Sequence, residues 1–155
     1  MKRILWIIIG ILVTALVVIQ FFQSPENQGA GSMVNDIFTT AGNMPLEVGD
    51  MIKASCTDCH SDHTVYPWYG RIAPVSWMLS SHIREGREHL NLSEWGALSD
   101  RKKISALQDM GEAVTSGEMP LKGYARLHKD ARLSKDQKDQ FLRWIDLETR
   151  RLMGE

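Results

Sequence analysis

The sequence predicts an all-α domain of about four to five helices, preceded by one N-terminal apolar helix. Three observations carry that expectation. Residues 4–22 form an apolar run without charge, apolar stripes at helical spacing recur after Pro45, and no segment alternates convincingly with period two. A chain of 155 residues suits one domain with an appendage. The formal net charge of -1 and the lack of long like-charge runs argue against a nucleic-acid partner. Two cysteines cannot build a disulfide framework, so a core, a cofactor or both must hold the fold.

The first element is the run "ILWIIIGILVTALVVIQFF", with Thr14 and Gln20 as its polar residues. Its nineteen residues, at about 1.5 Å each, reach roughly 28 Å, close to the hydrocarbon thickness of a bilayer. The run is longer than the apolar part of a cleaved signal peptide, and "QSPENQGAGS" offers no clear cleavage site. An uncleaved signal anchor is therefore expected over 1–23, with a cleaved signal as the alternative. Lys2 and Arg3 keep the N-terminus in the cytoplasm by the positive-inside tendency. That gives a single-pass protein of the inner (cytoplasmic) membrane, its remaining domain on the periplasmic, extracytoplasmic side.

Residues 24–44 read as a flexible linker and an irregular lead-in, and 45–155 as the folded domain. From Pro45 a short helix is expected to run into the cysteines, with Leu46, Ile52 and Cys56 on one face and Val48, Met51 and Ser55 flanking it. "SDHTVYPWYGRIAP" is an extended loop by its two prolines and glycine. "VSWMLSSHIREGREH" follows as a helix with Val75, Met78, His82 and Ile83 along one side, and "LNLSEWGAL" is a bend. Ser99-Asp100 then opens a helix with Ile104, Leu107, Gly111 and Val114 at i, i+3, i+4 spacing, ended by Gly117. "LKGYARLHKDA" is a short helix or turn. Ser134 and Gln137 stand at capping-box spacing before a last helix striped by Phe141, Trp144, Ile145 and Leu152.

Both cysteines lie in Cys56-Thr57-Asp58-Cys59-His60. A redox pair expects a βαβ context, which the pattern lacks. A structural zinc site needs four ligands, and no second half-site stands at ligand spacing. The remaining chemistry is one covalent haem c. Two thiols on one helical turn add to the two vinyl groups along one porphyrin edge, and His60 supplies the proximal nitrogen to iron. Export of this segment agrees with that chemistry. Candidate pocket walls are Tyr66, Trp68, Tyr69 and Trp77, and Arg71 and Arg87 are candidate partners of the propionates.

The iron's other face has three candidate states. Met119 leads, because a thioether opposite histidine suits an electron carrier and Pro120 takes its backbone out of helical geometry. His82, on the apolar side of its helix, is the rival, and an open site is the third. His63 is too close to His60 to reach the opposite face. His89 and His128 sit among charges and read as solvated, although either could bond a propionate.

Taken together, "CTDCHSDHTVYPWY", Pro74-Val75-Ser76-Trp77, His82, Gly86-Arg87, Leu90-Asn91, Ser93, Trp95, Met119-Pro120, Tyr124, His128, Ala131, Leu133-Ser134 and Trp144 resemble the small haem-binding domain family of exported monohaem c-type proteins. The resemblance implies an all-α c-type haem domain, sometimes found beside cytochrome c or cytochrome c peroxidase modules. It departs at Asp62, where the family usually has asparagine. The expected function is electron transfer with redox partner proteins in the periplasm or inner membrane, the membrane being reached through the N-terminal helix. No acid–base or nucleophilic constellation accompanies the motif, which disfavours hydrolytic or transfer catalysis. Alternatives are a haem enzyme or sensor with an open distal site for peroxide or a diatomic gas, and an accessory haem module of a larger oxidoreductase.

Overall fold

A computed structural model describes residues 1–24, 26 and 36–155, and most of the expected linker lies outside these. Among the described residues every regular element is helical. Helix α1 (Lys2–Ile19) is long and apolar enough to cross a membrane, and none of its residues is buried against the rest of the chain. Four helices of ten or more residues follow: α3 (Leu46–Ser55), α5 (Val75–His89), α6 (Asp100–Ser116) and α8 (Lys135–Met153). Between them lie short pieces: α2 (Ile37–Thr40), α4 (Thr57–His60), α7 (Lys122–Leu127) and 3-10 turns at Trp68–Arg71, Leu92–Ala97 and Lys129–Ala131.

Helices α6 and α8 form the principal packed pair. The stripe of α6 is Leu107, Gly111 and Val114, and Gly117 ends the helix in the left-handed region at φ 77°. Helix α8 is opened by the capping box, in which Gln137 N donates to Ser134 Oγ and Ser134 N donates to Gln137 Oε1. Its buried stripe is Phe141, Trp144, Ile145 and Glu148. Glu148, at the next helical repeat after Trp144, is the addition. Its carboxylate accepts from Gly42 N at 3.0 Å and from both Arg151 Nε and Nη2 at 2.7 Å. A buried carboxylate is tolerated when its lone pairs are filled in this way.

Residues 36–44 depart from the lead-in expected of them. Asp36 caps α2 by accepting from Phe38 N, and Ile37 is wholly buried in the same cluster as Trp95, Leu107 and Trp144. Their aperiodic sequence hid this, because one apolar anchor in a four-residue helix leaves no stripe to read. The stripe of α3 is also rotated: Val48, Met51 and Ile52 are buried, while Leu46 at the first helical position is 85% exposed. In α5 the buried residues are Ser76, Ile83 and Gly86, and Met78 faces out. The reason lies in what α5 packs against, described next.

Candidate functional site

Helix α3 delivers the cysteine motif. Cys56 N donates to Ile52 O at 2.9 Å and closes α3, and one further turn, α4, carries Thr57 to His60. His60 N and Cys59 N both donate to Cys56 O, at 2.9 and 3.2 Å, so the two thiols and the imidazole share one tight turn. Both cysteines are free thiols and half-buried. Burial, and secondarily its neighbour Cys59, pushes the Cys56 thiol up to about 12. Cys59 is raised to about 11 by burial and by Asp58, against a lowering by Arg87. Neither thiol has the depressed value of a reactive redox cysteine. Nor do any three His, Cys, Asp or Glu side chains converge as a metal site among the described residues.

His60 is held by its inner nitrogen. Nδ1 lies 3.1 Å from Leu90 O, the residue that closes α5. A carbonyl only accepts, so Nδ1 carries the proton and Nε2 keeps its lone pair. Burial lowers the His60 pKa despite raising contributions from the Leu90 and Gly86 backbone, which favours the neutral, ligating form. Helix α5 comes this close because residue 86 is glycine. A Cβ there would stand 2.7 Å from Cys59 O. That contact rotates the buried face of α5 onto α4 and turns Met78 out.

The loop after His60 is pinned from α5 and the following turn. Arg87 Nε donates to Ser61 O at 2.7 Å, its Nη2 donates to Thr64 Oγ1 at 3.0 Å, and its guanidinium stands 3.7 Å from Asp62. Asp62 also accepts from Asn91 Nδ2 at 3.2 Å, and Ser93 Oγ accepts from Asp62 N at 3.1 Å. Arg87, expected beside a propionate, thus spends these contacts on the loop. Asp62 supplies a charge-matched acceptor for it.

A second array crosses the motif from the other side. Tyr124 donates to Asp58 Oδ2 at 2.7 Å and stacks on His128, ring centroids 4.2 Å apart. His128 Nε2 and Tyr69 OH share a hydrogen bond of 2.6 Å. Burial and then the Asp58 carboxylate raise the Tyr124 phenol well above its usual range, so it remains the donor. His128 is half-buried, not solvated as its charged neighbours suggested. The i, i+4 spacing of Tyr124 and His128 was the available signal, but their targets, Asp58 and Tyr69, are set by tertiary packing.

The other expected residues divide. Tyr66 is half-buried beside Gly70, and Trp68 meets Tyr69 edge-on at 5.8 Å while 78% exposed. Trp77 and Arg71 are turned toward the end of α1: Trp77 Nε1 donates to Phe22 O at 2.6 Å, and Arg71 lies 3.4 Å from Glu26. Met119 is half-buried just after Gly117, its N–H donating to Ala113 O at 3.0 Å. The chain runs from it directly into α7, which carries Tyr124 to Asp58. His82 is half-buried on α5, one turn before Gly86. His63 and His89 are exposed.

These residues fit a haem. A neutral histidine offers Nε2, and two thiols flank it. Around the motif the apolar side chains of Val65 and Trp68 stand uncovered at 74% and 78% exposure, as does Leu127, next to His128, at 65%. Trp95 Nε1, on the turn that supplies Ser93, is buried without an acceptor among the described residues. Fold and site together define a small helical haem protein. Residues 14–147 match the family model described as the haem-binding domain, and the chain belongs to that family. The match begins inside α1 and takes in α2. No curated protein and no solved structure matches the chain.

Proposed function

We propose that the protein is a membrane-anchored, extracytoplasmic monohaem electron carrier, with Cys56 and Cys59 as thioether attachments, His60 as proximal ligand and Met119 as distal ligand. The observation that carries this reading is the pairing of His60 Nδ1 with Leu90 O, which leaves Nε2 as the free donor beside two thiols. Haem supplies a one-electron Fe(II)/Fe(III) couple when bound. The chain's own residues fix its environment. Burial keeps the imidazole neutral and Leu90 O orients it, Arg87 and Asp62 fix the loop behind it, and Tyr124 ties the segment after Met119 to Asp58. His82 is disfavoured as the distal ligand, because it projects from the helix whose end backs His60. A thioether ligand opposite histidine raises the potential and leaves no open position for a substrate, the arrangement of a carrier.

The test is the visible spectrum of the purified full-length protein. Haem should stay with the chain after denaturation, and the oxidised form should be low-spin with the weak long-wavelength band of methionine on Fe(III). Met119→Ala should remove that band while Met110→Ala keeps it. A high-spin resting spectrum that shifts with carbon monoxide or cyanide would replace the carrier with an open-site enzyme or sensor.

A further inference from the structure

We propose that the loop from Pro67 to Trp77 is a membrane-contact surface, seated in the headgroup zone of the bilayer that α1 enters. The proposal rests on the anchored reading above and adds a fixed posture to it. A helix that merely tethers a domain needs no contact with it beyond the chain. Here the cap of α1 and the residues just after it are bonded to the domain at three points. The Gln20 side chain pairs with the Ala73 backbone as a peptide group would: Nε2 donates to Ala73 O, and Ala73 N donates to Oε1, each at 3.0 Å. Trp77 Nε1 donates to Phe22 O at 2.6 Å, and Arg71 reaches Glu26 at 3.4 Å.

The position of Gln20 gives these bonds their meaning. No charge occurs between Arg3 and Glu26, so the water boundary on this side must fall beyond the apolar run that closes at Phe22. Ala73 and Trp77 are within hydrogen-bonding reach of residues 20 and 22, and so lie at that boundary. The side chains gathered there are the types that favour it. Phe21 and Phe22 are 83% and 67% exposed, Ile72 44% and Trp77 38%, whereas the charged Arg71 faces Glu26 beyond the run. Trp prefers this depth because its ring is apolar while its N–H seeks an acceptor, and Trp77 has one. Tyr69, on the same loop, belongs to the array around the cysteine motif. The bilayer would therefore hold the haem pocket at a set height and orientation.

The test uses the haem-loaded full-length protein in phospholipid nanodiscs, with a photoreactive benzophenone side chain placed at Val13, Ile72 or Leu147. Leu147, on α8, is 64% exposed and serves as the remote control. Lipid adducts at Val13 and Ile72 but not at Leu147 are expected. Adducts at Val13 alone would leave the anchor standing and overturn the contact surface. Absence at both Val13 and Ile72 would overturn the anchor as well. Adducts from Ile72 to protein, or equal lipid yield at Leu147, would also overturn the surface. Gln20→Ala should lower the Ile72 yield several-fold with Val13 and the visible spectrum unchanged. An undiminished yield would sink the role given to the Gln20–Ala73 pair.

Discussion

Along α6 and α8 the chain buries Leu107, Val114, Phe141, Trp144 and Ile145, a continuous apolar contact. Around residues 56–69 it buries small or polar groups, Ser61, Asp62 and Thr64, and leaves Val65 and Trp68 in the open. The first region is a finished core. The second is a polar frame built of long-range hydrogen bonds, with exposed apolar side chains at its edge. Burial of apolar area drives the first, at roughly 25 cal/mol per Å². Hydrogen bonds hold the second, and each contributes little net stability while fixing direction closely. The comparison suggests that the α6/α8 half sets whether the domain folds, and the 56–69 half sets what it holds.

The largest expected effect tests the finished core. Trp144→Ala should cost about 3–5 kcal/mol and lower the urea midpoint of haem-free and haem-loaded protein alike. A loss confined to the haem-free form would mean that the two halves are not separate in this way. Next is Gly86→Ala, which drives a methyl group against Cys59 O and should cost about 1–3 kcal/mol. Its signature is poor haem incorporation, with hydrogen exchange in α6 and α8 nearly unchanged. Tyr124→Phe removes the bond to Asp58 and should cost about 1–2 kcal/mol. The methionine band should weaken and carbon monoxide binding to the reduced protein should rise, whereas a purely structural loss would lower the midpoint and leave the ligand field alone.

The smallest effect is a pH dependence. Burial lowers the His60 pKa in the folded chain, so the folded state binds its proton less readily than the unfolded state does. The stability concerned is present above the ordinary histidine value, about 6.5, and is lost as pH falls from there toward the lowered one. The haem-free protein should therefore lose stability between neutral and mildly acidic pH. If the adjacent thioethers keep Nε2 on iron in the denatured chain too, neither state takes up that proton and the dependence should shrink, so an equal slope in both forms would argue against His60 as the ligand.

Much of the finished half could be read directly. The Leu107–Gly111–Val114 stripe, the Gly117 terminus and the Ser134–Gln137 box are local patterns, and each recurs in the structure as expected. Glu148 was missed because charge masks a stripe position that its spacing with Phe141, Trp144 and Ile145 gives away. In the other half the motif itself was plain, but its supports were not. Arg87 was expected beside a propionate and Trp77 in a pocket wall, and no local pattern announced their bonds to Ser61 and Thr64 or to Phe22.

The sequence by itself determined the helical class, the apolar span and the Cys56–His60 turn, because each depends on residues within a few positions of one another. Only the tertiary structure decided that Leu90 backs His60, that Tyr69, His128, Tyr124 and Asp58 form one array, and that Gln20 clasps Ala73. The hydrogen bonds among them join residues 30 to 66 positions apart. Their partners are chosen by where packed helices bring backbone carbonyls and polar side chains together, and no local period encodes that.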